Sequence, residues 1–204
     1  MSTSSPLLIT STPLTERQYQ ADSATVFGFW AYLMTDLVLF ASLFAVYAVL
    51  RMNTAGGLAP AALFNGPFVL TETLILLTSS FTCGLSFLAA RREKLGAVLG
   101  LLGVTVLLGI AFLSMELSEF GKLIAEGAGP SRSASLSSYF TLVGTHGLHI
   151  TIGIIWCVAL MIAFVRSGLT RSNKRKLILF SLFWHFLDLI WIFIFSIVYL
   201  FSIL

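Results

Sequence analysis

Apolar residues run along this chain in five long stretches, at about 27–50, 67–90, 97–117, 138–165 and 178–203. Each supplies the ~20 apolar residues that a helix needs to cross roughly 30 Å of hydrocarbon. The stretches are separated by polar segments rich in breakers. Residues 51–66 contain Gly56, Gly57, Pro60 and Gly66, followed by Pro67, which suits a first helical turn. Residues 118–137 contain Gly127, Gly129, Pro130 and a serine cluster. The first 26 residues are rich in Ser and Thr, carry Pro6 and Pro13, and lack the basic start and apolar core of a signal peptide. The pattern predicts an all-α polytopic membrane protein: a flexible tail over 1–26, then one domain, a five-helix bundle over 27–204. No repeat of fixed period interrupts it.

Against this apolar background the ionisable positions stand out. Glu116 and Glu119, His146 and His149, and His185 and Asp188 are pairs three residues apart; Asp36 and Glu72 are single. An ionisable group in hydrocarbon costs roughly 2.5–3.5 kcal/mol on insertion scales and persists mainly where it faces protein or performs a task. A spacing of three puts both members of a pair on one helix face. Three spans therefore each aim two polar groups in one direction, and the bundle is expected to contain a polar seam.

Composition strengthens the membrane reading. Apolar residues are 57% of the chain and charged residues 10%, against about 25% charge in a soluble domain, and the mean hydropathy is +0.96. The net charge of +3 is no nucleic-acid signature, because the basic residues cluster between apolar runs. Cys83 and Cys157 lie in separate apolar runs and form neither a CxxC nor a disulfide framework.

The basic residues also give an orientation. Arg17, Arg91, Arg92, Lys94, Arg166, Arg171, Lys174, Arg175 and Lys176 fall on the N-terminal side, and only Arg51, Lys122 and Arg132 on the other. The positive-inside rule then expects a cytoplasmic N-terminus and, after five crossings, an external C-terminus. At 1.5 Å per residue, His149 lies about 17 Å from the outer surface and Asp188 about 15 Å from the inner one. These two are nearly level and are expected to pair. Asp36 is near the midplane with no evident partner on its own span. Glu72 is in the outer part of span two, and Glu116 and Glu119 are expected in the outer interface. Trp30 and Trp184 are expected at the inner interface, where indole rings commonly sit. Gly96, Gly100, Gly103 and Gly109 on span three suggest a close helix contact.

The chemistry these residues could support is limited. Di-iron bundles use Glu-x-x-His pairs, whereas this chain has Glu-x-x-Glu, His-x-x-His and His-x-x-Asp. Three histidines, two of them on one helix, are a poor set for two axial haem ligands. There is no phosphate loop and no nucleophile elbow. No catalytic, cofactor-binding or metal-binding residue is therefore assigned. Buried Asp, Glu and His are also the components of a proton relay, but a transporter usually shows internal symmetry. Interhelical hydrogen bonding is the favoured role of the histidine pairs, while a structural and a proton-related role for Asp36 are equally open.

Several segments resemble a known family. GTHGLHITIG at 144–153, FWHFLDLIWIFIF at 183–195, MELSEF at 115–120 and LMTDLVLFASLFAVYAVL at 33–50 are similar to signatures of subunit III of the haem–copper oxidases. TAGG at 54–57, PFVLTETLILLTSS at 67–80 and GPSRS at 129–133 resemble most its bacterial ubiquinol-oxidase branch. The resemblance implies a non-catalytic subunit of a proton-pumping oxidase in a bacterial cell membrane. Haem and copper would then reside in subunit I, beside which this chain would pack, with subunit II and a small subunit IV in the same complex. Phospholipid would bind in a cleft. Seven-span relatives have two further N-terminal helices, so here subunit I would complete that cleft. The resemblance also places Asp36 at the family's intramembrane acidic position, often Glu, and associates Glu72 with the quinol-oxidase branch.

Overall fold

A computed structural model describes the backbone of residues 13–54 and 66–200, and the side chains of 23–54 and 66–199. The breaker residues Gly56, Gly57 and Pro60 and the first twelve residues lie outside these. Five helices follow one another: α1 (Pro13–Leu50), α2 (Gly66–Arg91), α3 (Leu95–Ala125), α4 (Ala134–Ser167) and α5 (Arg171–Ile194), the last continued by a π-helical turn, Phe195–Leu200. All five are long and apolar enough to cross a membrane. Four of the expected boundaries move outward by four residues or more. Residues 13–26, expected as tail, are helical. Span three runs to Ala125 rather than 117, because Glu119 and Leu123 turn inward and the helix has a buried face to continue. It ends at Gly127, whose φ of +75° is the left-handed conformation typical of a residue just past a helix end. Span four begins at 134, where the Ser133 hydroxyl accepts from the Leu136 N–H at 3.2 Å. Span five begins at 171, capped by Thr170, whose hydroxyl accepts from the Asn173 N–H at 3.3 Å.

The helices run alternately up and down, and contacts at both ends tie them. On the face with the basic loops, Lys174 at the start of α5 pairs with Glu93 in the α2–α3 turn. On the opposite face, Ser135 of α4 donates its N–H to the Asn53 carbonyl at 3.2 Å and its hydroxyl to the Arg51 carbonyl at 3.0 Å, just beyond α1.

The core is asymmetric. α5 is central and buries Leu177, Phe180, Trp184, Leu187, Trp191 and Ile194, one per turn at spacings of three and four. It touches α1, α2 and α4. α1 is peripheral. Among its described side chains only Leu33, Asp36, Phe40 and Tyr47 are buried, a single stripe lying mainly against α4. Phe27, Val38 and Val49 point outward.

Trp184 faces the bundle interior. It is 1% exposed and occupies a notch between two glycines. Its ring lies 3.1 Å from the position a Cβ would take on Gly109 of α3, and 2.7 Å from the one on Gly153 of α4. Its indole N–H donates to Ser79 Oγ of α2 at 3.1 Å, so three helices converge on this one side chain. Trp30, by contrast, is half exposed. Of the span-three glycines, Gly109 makes the close approach, and Gly96 and Gly100 meet nothing within 4 Å.

Candidate functional site

The ionisable residues form three groups, each built across helices. The first joins α1 to α4. Asp36 Oδ2 lies 3.7 Å from His149 Nε2, and the Thr145 carbonyl, one turn back, holds His149 Nδ1 at 2.7 Å. That second contact aims the ring at α1. Tyr32 also bonds to Asp36 from one turn earlier on α1, so the acid does have a partner on its own span. Phe40 packs against both His149 and His146, with ring centroids 5.2 and 6.3 Å apart. The histidine pair thus shares a face, as its spacing requires. His146 itself is fully buried among Phe40, Phe112 and Trp191, and neither ring nitrogen has a hydrogen-bond partner. An imidazole held by aromatic contacts acts there chiefly as a packing group.

The second group joins α5 to α2. Ser80 Oγ is 2.6 Å from His185 Nδ1, and Asp188 reaches the same serine. The expected pairing of His149 with Asp188 is therefore replaced by two separate contacts, one to α1 and one to α2. Depth arithmetic carries no information about which helices are neighbours.

The third group joins α2 to α3. Glu72, Glu116 and Glu119 are all buried, and each brings a carboxylate oxygen within 4.8 Å of the others. They face the protein interior: Glu116 is 2% exposed and Glu119 7%. Lys122 stands one turn beyond Glu119 and is close enough to act on it electrostatically, its Nζ 5.1 Å from the centre of the Phe68 ring. Beside the carboxylates, the Tyr139 and Tyr199 hydroxyls meet at 3.0 Å. The π-helical turn carries Tyr199.

Sequence reasoning missed the hydroxyl partners. Ser79 donates to the Thr105 carbonyl at 3.1 Å, Thr82 and Thr105 hydroxyls meet at 2.8 Å, and Trp191 donates to Thr73 at 3.1 Å. The available signal was the Ser/Thr density of α2, whose residues 71, 73, 78, 79, 80 and 82 are all Thr or Ser.

Each of the three groups links two helices. Together they describe a multi-pass membrane protein whose helices are joined by buried polar contacts. A family model described as cytochrome c oxidase subunit III matches residues 11–203. The chain belongs to that family. It is 55% identical over 185 residues to the cytochrome bo(3) ubiquinol oxidase subunit 3 of Pseudomonas aeruginosa, covering 91% of this chain and 88% of that protein. The protein of the same description from Pseudomonas putida is 50% identical over 91% of this chain and 90% of its own length. The quinol oxidase subunit 3 of Bacillus subtilis is 44% identical over 90% of this chain and 91% of its own.

Proposed function

We propose that this chain is the non-catalytic third subunit of a proton-pumping ubiquinol:oxygen oxidoreductase, where it stabilises subunit I and organises phospholipid beside it. The observation that carries this reading is the 55% identity, over nearly its whole length, to a relative described as a ubiquinol oxidase subunit. The polar groups agree with a structural role, since each one links two helices. On this reading haem and copper lie in subunit I, and subunit II and a small subunit IV complete the assembly. The lipid-facing side chains of α1, such as Val38 and Val49, remain available to a neighbouring subunit or to acyl chains.

Purification from native membranes through a tag on this chain tests the proposal. The expected product is a multi-subunit assembly with a haem spectrum that oxidises ubiquinol and consumes oxygen. A chain that purifies alone and moves protons in vesicles would instead be an autonomous transporter. An assembly that accepts electrons only from cytochrome c would move the chain to another branch of the family.

The orientation is also part of the proposal: N-terminus in the cytoplasm, C-terminus outside, from nine basic residues against three. Ser131, in the α3–α4 loop, and Ser172, in the first turn of α5, are both exposed and lie at opposite ends of the bundle. S131C should react with an impermeant thiol reagent added to intact cells, and S172C only after the membrane is opened. Reaction of both in intact cells would remove this topology.

A further inference from the structure

We propose that Glu72, Glu116 and Glu119 form a binding site for one divalent cation of the calcium type, bridging α2 and α3 near the end of the bundle opposite the basic loops.

The first observation is the spacing. One oxygen from each carboxylate lies within 4.8 Å of the other two. Oxygens bound to a calcium ion at 2.3–2.6 Å are separated by up to about twice that length, so three donors this close can share one ion. The second observation is independent of the clustering. Glu72 is 0% and Glu116 2% exposed, yet both oxygens of each, and one of Glu119, have no hydrogen-bond partner. A buried carboxylate without a partner is among the costliest groups a protein can hold. Carboxylate oxygens this close together, and without partners, are placed as the ligands of one shared ion would be.

Charge fixes the valence. Three carboxylates carry −3. Lys122, one turn beyond Glu119, supplies +1, and a divalent ion supplies the remaining +2. Donor type narrows the ion. The group contains oxygen donors only, with no His or Cys, which suits hard cations over zinc, copper or iron. Magnesium demands near-ideal octahedral geometry at 2.0–2.1 Å and gives up its water reluctantly, whereas calcium accepts irregular sites. Three side chains on two rigid helices provide the irregular kind. Access is short, because Glu119 lies six residues, about 9 Å, below the end of α3 at Ala125. The bound ion would fasten α2 to α3 at a point where both helices otherwise bury like charges.

Terbium is the probe, since it replaces calcium and emits when nearby tyrosines absorb; the Tyr139–Tyr199 pair supplies them. The tagged complex, or the chain alone if it purifies without partners, is stripped with a chelator and titrated with Tb3+. The expected result is saturable emission at one ion per chain, displaced by Ca2+ well before Mg2+. Glu116→Gln and Glu119→Gln should each weaken Tb3+ binding by at least about tenfold. Infrared difference spectra of the unsubstituted protein should show protonated-carboxyl bands lost on adding Ca2+. Absence of saturable emission, emission unchanged in both variants, or carboxyl bands indifferent to Ca2+ would each overturn the site and leave shared protons as the neutralising charge. If the variants fail to assemble, the infrared result on the unsubstituted protein decides.

Discussion

Replacing Gly153 by Ala should lower the amount of assembled protein in the membrane several-fold and lower its thermal midpoint. A Cβ at this position would lie 2.7 Å from Trp184 Cζ3 and 3.0 Å from Cε3, closer than packed carbons approach. The ring cannot swing aside. Its other edge rests 3.1 Å from the Cβ position of Gly109, and its N–H is committed to Ser79. Forcing a methyl group into a filled core typically costs about 1–3 kcal/mol, enough to change abundance several-fold. Trp184→Phe removes part of the ring and should relieve the clash. The double variant Gly153→Ala/Trp184→Phe is therefore expected to be more stable than the sum of the two single effects allows. Thermal midpoints of the four proteins in one detergent measure this. Strict additivity would mean that the notch has another way to yield.

The second large effect is expected at Asp36. Asp36→Leu removes the partner of His149 Nε2 and of Tyr32 while leaving both side chains in place. Leaving a buried polar group without its partner costs about 1–3 kcal/mol. The loss should be smaller when His149→Leu is combined with it. Asp36→Asn, in contrast, keeps the shape and the capacity to hydrogen-bond both neighbours, so assembly and oxygen reduction should survive. Turnover of the Asp36→Asn complex across neutral and alkaline pH is the informative measurement. A steep loss on the alkaline side with assembly intact would show that this carboxyl supplies protons to a neighbouring subunit, and would end the structural interpretation.

Much of this architecture is written in local pattern, and its limits have a physical cause. Five apolar runs of sufficient length leave little choice but five helices, and the three-residue spacings of Glu116 with Glu119, His146 with His149 and His185 with Asp188 fix shared faces. The lateral order of helices is different. It depends on which stripes complement one another, and His149 could meet Asp36 or Asp188 equally well by depth. Polar residues near a run's end were also misleading. Glu116, Ser118 and Glu119 look like the end of a helix, yet α3 continues to Ala125 because two of the three face inward. Hydroxyls are the least legible. Thr78 satisfies itself on the Leu74 carbonyl of its own helix at 2.7 Å, whereas Ser79, the next residue, reaches across to α3 at 3.1 Å. Residue type does not distinguish the two.

The single buried stripe of α1 has a consequence for biosynthesis. Chains emerge N-terminus first at about 5–20 residues per second, so α1 enters the bilayer before anything it packs against exists. Its main neighbour, α4, ends at Ser167, and Asp36 waits for His149 to be made. During that interval α1 sits in lipid with an acid that only Tyr32 can reach. The earliest of these five helices is thus among the last of them to be fixed in place, which gives a translocon component or an already folded partner subunit time to hold it.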